Sequence, residues 1–239
     1  MSKQQGKWTL ALERSSRPAS MALFYNSQCV IEREFPPMAA HGSTAWASVL
    51  RDLLYDNGVA PAELSLLVVG LGPGSFSGAR SAIAFLHGLA IPDGIPVAGV
   101  GSAAAAAFAA ARELDAGKAV AVAGDARRSR WWRAVFTTVE SAESPSGRAL
   151  RVMKDGGISV PSHAAADFDL VETNLDALRA GVPADAKWLE IETLVAPDLA
   201  GSLTLPTARD LGELALSEPS AALAAPLPIY LHPAVLPPR

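Results

Sequence analysis

The stretch GLGPGSFSGAR, residues 70–80, holds the residues whose types and spacing most suggest chemistry. Glycines between a strand and a helix often cradle phosphate, because their backbone N–H groups can approach it closely at the helix N-terminus. This loop nevertheless departs from the established motifs. A Walker A loop would need a lysine, a dinucleotide fingerprint from Gly72 would need glycine in place of Ser77, and a nucleophile elbow would need serine in place of Phe76.

The loop therefore predicts a tight strand-to-helix turn, with Gly72, Gly74 and Ser75 as the candidate nucleotide-binding residues. Ser75 or Ser77 can cap the helix that follows, because a serine oxygen accepts a hydrogen bond from a free backbone N–H of the first turn. Gly74 is the residue most expected to need a positive φ. We expect no metal, no cofactor and no catalytic side chain at this loop.

A second polar cluster joins Asp125 to Arg127, Arg128 and Arg130 within the segment GDARRSRWWR. A carboxylate beside arginines at a strand end could form a binding site, with Asp125 and Arg127 as its candidate residues. A solvated hairpin turn is an equally good interpretation. The two tryptophans that follow could add stacking to a nucleic-acid contact, although strand alternation requires one of them to face inward.

Metal and thiol chemistry receive little support. The four histidines, at positions 41, 87, 163 and 232, include no pair at the His-x-x-x-His or H-E-x-x-H spacing that binds zinc. His87 is expected on a polar helix face, and Cys29 is expected to be a buried, inert thiol within a strand. A metallopeptidase is therefore poorly supported.

Composition and charge limit the classes of protein further. The 239 residues carry a net charge of −4, which argues against a chain that holds nucleic acid by itself through a broad basic surface. A single cysteine excludes an internal disulfide and suits a reducing compartment. The longest apolar run, GSAAAAAFAAA, is too short to span a bilayer, and the N-terminus shows no signal peptide. We expect a cytoplasmic protein without a membrane segment.

The elements that must position these residues alternate in type along the first hundred residues. Three short β-rich runs predict an antiparallel meander, and the continuous apolar run LSLLVVG predicts a strand buried on both faces. Helices are predicted over 44–57 and 77–90, and an alanine-rich helix is predicted from Ser102 to near Leu114. The order βββαβαβα indicates a mixed sheet with helices on its faces.

The second half repeats this order loosely. Two strands joined by the basic turn open it, GRALRVM and FDLVET predict two more strands, and LDALRAG predicts a short helix. TARDLGELALSE predicts a late amphipathic helix. The proline-rich tail AAPLPIYLHPAVLPPR is expected to be extended over the surface.

Taken together, these motifs resemble the TsaB (YeaZ) family. The family carries GPGSFTG before an arginine-containing helix and a valine–glycine–serine step, which correspond here to GPGSFSG and VGS. The segments GDARRSRWWRAVF and PLPIYLHP are similar to two further family motifs, with His232 where arginine is usual. Glu13 stands where the family usually has aspartate. The resemblance spans most of the chain and is strongest between residues 66 and 135.

The resemblance implies an α/β protein with an actin-like/Hsp70-like (ASKHA) two-lobe fold, built from mixed β-sheets flanked by helices. We expect an N-terminal lobe over 1–102, which carries the partner-binding helices, and a C-terminal lobe with an extended tail over 103–239. The late helix, 207–217, is expected to pack back on the first lobe.

The resemblance also implies a task, namely threonylcarbamoylation of the adenosine beside the anticodon of tRNA. TsaB-like proteins are non-catalytic scaffolds that bind a TsaD-like catalytic paralogue, and a TsaE-like ATPase joins them. The chain would then contact tRNA only through the complex. Two alternatives remain open: a small acetate/sugar-kinase-like enzyme of the same superfold and, with less support, a glycoprotease-type metallopeptidase.

The partner interface is expected on the helices 44–57 and 77–90. Their apolar stripes leave more surface than one sheet can cover, and without a TsaD-like partner the same helices would pair two copies of the chain in a homodimer. We expect Trp46, Leu50 and Leu86 to face outward. The full set of predicted interface residues is Trp46, Val49, Leu50, Leu53, Ala82, Ile83 and Leu86.

Overall fold

The first half of the chain forms a five-stranded sheet. The computed structural model describes residues 6–35, 43–142, 148–154, 157–161, 168–217 and 226–231. In the first sheet β1 pairs antiparallel with β2 and β2 with β3, whereas β4 pairs parallel with both β1 and β5, which gives the order β3-β2-β1-β4-β5. The strands are β1 (Trp8–Glu13), β2 (Ser20–Tyr25), β3 (Gln28–Glu34), β4 (Leu64–Gly70) and β5 (Val97–Val100).

The side chains of this sheet pack into two apolar layers, one on each face. On β1, Leu10 and Leu12 face a cluster that also contains Leu53 and Leu86, whereas Ala11 faces the opposite cluster. The first layer is covered by α1 (Ser43–Asp56) and α2 (Phe76–Ala90). Since successive strand side chains point to opposite faces, this two-sided burial explains the continuous apolar run of β4.

The second half forms a seven-stranded sheet with the order β12-β11-β6-β7-β8-β9, and β10 pairs with β7 beside β8. Its central strands repeat the first sheet, because β8-β7-β6-β11-β12 matches β3-β2-β1-β4-β5 in order and in strand direction. The strands are β6 (Ala119–Arg127), β7 (Arg130–Glu140), β8 (Arg148–Lys154), β9 (Gly157–Pro161), β10 (Asp169–Glu172), β11 (Lys187–Ile191) and β12 (Ser202–Thr204).

Two helices form the layer between the sheets. α3 (Ser102–Ala111) packs on β6 and β7, α5 (Ala208–Ser217) packs on β1 to β4, and the two helices contact each other. α5 approaches β2 so closely that a Cβ at Gly212 would collide with the Phe24 ring. A short helix, α4 (Leu175–Arg179), follows β10. The two sheets therefore share one apolar layer built largely from the alanines of α3.

Several predicted elements needed correction. α1 begins at Ser43 and α2 at Phe76, one residue before the predicted starts, and α3 ends at Ala111 rather than near Leu114. The sequence did not indicate β9, β11 or β12. β11 was not predicted because glutamate is typical of the surface and Glu190 lies within this strand. In the structure Glu190 is 1% exposed, and its carboxylate accepts hydrogen bonds from the backbone N–H groups of Val195 and Ala196 at 2.6 and 3.2 Å.

Some predictions fall outside the described residues. Three of the four histidines, at positions 41, 163 and 232, do so, and His87 is exposed on α2 as expected. Within the described part of the tail, residues 226–231 form neither helix nor strand. Among the described helices, none has the length and apolar character needed to cross a membrane.

Candidate functional site

The glycine loop packs against the connection between β1 and β2. Gly72 and Gly74 have φ values of +90° and +153°, so the expected positive φ at Gly74 is confirmed. A Cβ at Gly74 would collide with the carbonyl oxygen of Ser15, and that oxygen accepts a hydrogen bond from the Ser75 N–H at 2.6 Å. The Ser75 hydroxyl caps α2 by accepting from the N–H of Gly78 at 3.2 Å. The predicted tight turn and its serine cap are therefore present.

A buried carboxylate lies beneath this loop. Glu13, at the end of β1, is 0% exposed, and it accepts hydrogen bonds from the Ser102 hydroxyl at 2.7 Å and from the N–H of Ser15. The Ser102 oxygen in turn accepts from the N–H of Gly72 at 3.1 Å. A Cβ at Gly70 would collide with the carboxylate, so glycine is needed there. The Glu13 side chain on β1 therefore contacts β4 at Gly70 and α3 at Ser102.

The electrostatics of this network follow from its burial. Burial raises the pKa of the Glu13 carboxyl, and the hydrogen bonds from Ser15 and Ser102 lower it in part. A phosphate cradle needs outward N–H groups and positive charge. Here the N–H groups of Gly72 and Ser75 are bonded within the protein, and a carboxylate lies below. This arrangement favours a role in positioning α2 over a role in holding phosphate.

The turn after β1 is buried, which the sequence did not indicate. Arg14, Ser15 and Ser16 are at most 6% exposed, although their types read as a solvated turn. The Arg14 guanidinium lies 6.0 Å from the centre of the Trp46 ring on α1. The N–H of Arg17 donates to Glu192, just after β11, at 3.1 Å. The turn therefore connects α1, the glycine loop and the second sheet.

Asp125 and Arg127 lie in the other sheet, at the tip of the β6–β7 hairpin. Both are exposed, and the Asp125 carboxylate accepts from the backbone N–H and the guanidinium of Arg127 at 2.7 and 3.0 Å. Within the described parts of the chain, no hydrogen bond joins this pair to the glycine loop. Trp132 is 2% exposed and Trp131 is half-buried, so the expected inward tryptophan is Trp132.

The predicted interface residues lie against the sheet instead of facing outward. Trp46, Leu50 and Leu86 are 4%, 7% and 0% exposed, so the expectation that these three face outward is wrong. α1 and α2 pack side by side on the sheet, and each turns its largest apolar stripe inward. Leu53, Ala82 and Ile83 are also buried, and Val49 is half-buried.

The outer surfaces of the same helices form an open apolar groove of about 650 Å³. Tyr55 is 83% exposed at its edge, and Phe85 and Leu89 are half-buried in its wall. The sequence contained a signal for this groove. α2 has a second apolar stripe, formed by Phe85 and Leu89, which lies beside the stripe that packs on the sheet and stays partly exposed. Small residues also line the groove, namely Ala47, Ala84 and Gly88.

The comparisons with known proteins agree with this architecture. The family model of TsaD, tRNA N6-adenosine threonylcarbamoyltransferase, matches residues 35–150. YeaZ from Pseudomonas aeruginosa is 26% identical, with a TM-score of 0.64, 94% of this chain covered and 99% of that chain covered. No curated protein matches the sequence.

A second solved structure is described as an uncharacterized protein with similarity to the peptidase YeaZ from Pseudomonas aeruginosa. It is 26% identical, with a TM-score of 0.62, and the match covers 95% of this chain and 100% of that chain. Together with the repeated strand order of the two sheets, these matches confirm the expected actin-like/Hsp70-like two-lobe fold.

Proposed function

We propose that this chain, which is similar to YeaZ and matches the TsaD family model over residues 35–150, is a non-catalytic scaffold subunit in threonylcarbamoylation of tRNA. It binds a TsaD-like catalytic paralogue through the groove between α1 and α2. A TsaE-like ATPase joins this pair, and tRNA is modified on the complex. The chain alone carries out neither threonylcarbamoyl transfer nor peptide hydrolysis.

The single observation that carries the proposal is the α1–α2 groove. Its wall is apolar, and Tyr55 is 83% exposed at its edge, which is unusual for so large a ring on a helix that otherwise buries its stripe. Exposed apolar patches rimmed by polar residues mark contact surfaces, and exposed tyrosines are common anchors of such contacts. Arg51 supplies a charged rim beside the groove.

The matched segment supports a TsaD-like partner. Residues 35–150 match the TsaD family model, and this segment contains both helices of the groove. A TsaD-like protein therefore carries helices equivalent to α1 and α2. Two such helix pairs can pack across an approximate two-fold axis, because the same patch then serves on both sides. Ala84 and Gly88 allow the backbones to approach closely.

The test is a pull-down from native cell extract with the tagged full chain, followed by mass spectrometry of the retained proteins. We expect the wild type to retain a TsaD-like protein and the variants Tyr55→Glu and Ala84→Glu to lose it by roughly 30-fold or more, as for the loss of an interface anchor. Both positions are exposed, so a charge there leaves the core intact.

The matched control is Ala184→Glu, which places the same charge on an exposed alanine before β11. It should retain the partner as the wild type does. The proposed function is wrong if the wild type retains no TsaD-like protein. The interface assignment is wrong if folded Tyr55→Glu and Ala84→Glu retain as much of it as the control.

A further inference from the structure

The β6–β7 hairpin ends in a turn whose backbone is unfavourable for its residues. Arg127 pairs with Arg130, so Arg128 and Ser129 form a two-residue loop, with φ values of +52° and +55°. Such loops strongly prefer Asn-Gly or Asp-Gly, because most side chains crowd the backbone at positive φ. Arg127 also has a positive φ, +66°. Three successive non-glycine residues at positive φ are uncommon, and such outliers are a starting point for a functional hypothesis.

Other contacts hold this turn in place. The Asp125 carboxylate binds both the backbone N–H and the guanidinium of Arg127, so this arginine is already neutralised. The Trp132 ring lies directly over Gly124, where a Cβ would come within 2.6 Å of the indole. The base of the hairpin is therefore closely packed, and the Asp125–Arg127 contacts hold the backbone at the start of the turn.

The positive charge at this tip is concentrated and only partly used. Residues 124–133 contain four of the 20 lysines and arginines of a chain whose net charge is −4. Arg133 is fixed by the carbonyl oxygens of Ala177 and Leu178 and by Asp169. Arg128 and Arg130 are exposed, and among the described residues neither forms an ion pair, although Glu172 is opposite Arg130 in the sheet.

We propose that the tip of the β6–β7 hairpin, through Arg128 and Arg130, binds the phosphate backbone of RNA. This inference rests on the proposed function, because a role in tRNA modification is what brings RNA to the chain. Guanidinium groups bind phosphate oxygens with paired hydrogen bonds. Trp132 is buried and Trp131 packs beside Val171 and Leu175, so the tip offers charge without a stacking ring. The contact is therefore independent of RNA sequence.

The test measures binding of a fluorescent tRNA transcript to the full chain, alone and with the TsaD-like protein added, over a series of salt concentrations. The double variant Arg128→Gln/Arg130→Gln should bind about tenfold more weakly at low salt, and the log–log salt slope should become shallower by about two, one for each lost phosphate contact.

The charge-matched control is Lys118→Gln/Lys187→Gln. It removes two positive charges at the opposite end of the same sheet, beside the start of β6, roughly 25 Å along that strand. Its tRNA affinity should change less than twofold. The proposal is overturned if the arginine variant binds tRNA as the control does, or if the wild type binds no tRNA with or without its partner.

Two further variants separate binding from folding. Ser129→Gly and Arg128→Gly both place glycine at a positive φ, so both should raise the melting temperature. Only Arg128→Gly should weaken tRNA binding. If the arginine variants lose the TsaD-like partner in the pull-down, the tip is a protein contact and this inference is wrong. If they keep the partner and bind tRNA like the wild type, the inference fails while the proposed function stands.

Discussion

The Ser102 hydroxyl, at the start of α3, donates a 2.7 Å hydrogen bond to the Glu13 carboxylate at the end of β1, across 89 residues of sequence. The same hydroxyl oxygen accepts from the N–H of Gly72. One side chain thereby connects the first strand, the glycine loop and the helix between the sheets. Because these groups are buried, the removal of the Ser102 hydroxyl leaves the Gly72 N–H without this partner.

Replacement of this serine is expected to destabilise the protein. Ser102→Ala removes the acceptor for the buried Gly72 N–H and one of the donors to the Glu13 carboxylate, which keeps its bond from the Ser15 N–H. We expect a loss of about 1–3 kcal/mol in the free energy of unfolding, measured by urea denaturation. Ser81→Ala is the control, because its hydroxyl donates to the Ser77 carbonyl on an exposed helix surface. Its effect should stay within about 0.5 kcal/mol.

The second prediction concerns pH. Burial raises the pKa of Glu13 above its ordinary value of 4.5, so in the interval between the two values the folded state binds more protons than the unfolded state. Stability from this group is therefore fully present below 4.5 and is lost as the pH rises through the folded pKa. Glu13→Gln lacks this ionisation. The stability of the wild type relative to Glu13→Gln should fall as the pH is raised.

Chemical denaturation of both proteins across this range measures the difference directly. The contribution of Asp210, whose pKa burial also raises, cancels because it is common to both proteins. Parallel stability curves for the two proteins would show that Glu13 has the same pKa in the folded and unfolded states.

The third prediction compares two glycines of the same segment. Gly74→Ala combines a φ of +153° with a Cβ that meets the Ser15 backbone, so it should cost more than about 1 kcal/mol of unfolding free energy. Gly88→Ala lies on an exposed turn of α2 with no atom within 4 Å of the new Cβ, and it should gain about 0.5–1 kcal/mol. Equal changes in the unfolding free energy of the two variants, measured by thermal or urea unfolding, would contradict the prediction that position 74 requires glycine and position 88 does not.

The fourth prediction concerns self-association. In the absence of a TsaD-like partner, two copies of the chain are expected to pair through the α1–α2 groove, because each copy offers the same apolar surface. Tyr55→Glu should yield a monomer at concentrations where the wild type forms a dimer in sedimentation velocity. Leu203→Glu is the control, since this leucine is 57% exposed on the other sheet. A dimer that survives Tyr55→Glu would rule out this surface.

The parts of the fold that local patterns determine could be predicted from the sequence. The strand before the glycine loop, the Ser75 cap and the positive φ at Gly74 all depend on residues within a few positions of each other. The outward face of α2 could not be assigned, because Leu86 and Phe85 belong to two apolar stripes and only the packed sheet decides which one it buries. The sequence motifs nevertheless identified the family resemblance correctly.

The contacts that close the site could not be predicted, because they join distant polar residues. Ser15 and Ser16 are types that usually lie on the surface, and nothing local shows that they are buried. The pairing of Glu13 with Ser102 depends on how β1 and α3 meet in the folded chain. β11 was not predicted for the same reason, because nothing local shows that Glu190 is buried.

The repeated strand order of the two sheets makes the turn after β1 and the turn after β6 counterparts, and the two differ sharply in how they tolerate substitution. Ser15 and Ser16 are enclosed, so a randomised library at these positions should retain few folded members. Arg128 and Ser129 are exposed, so a library there should retain many more folded members, with losses mainly at proline and β-branched residues, which a positive φ disfavours. Equivalent positions in the two lobes are therefore restricted by side-chain burial in one lobe and mainly by backbone conformation in the other.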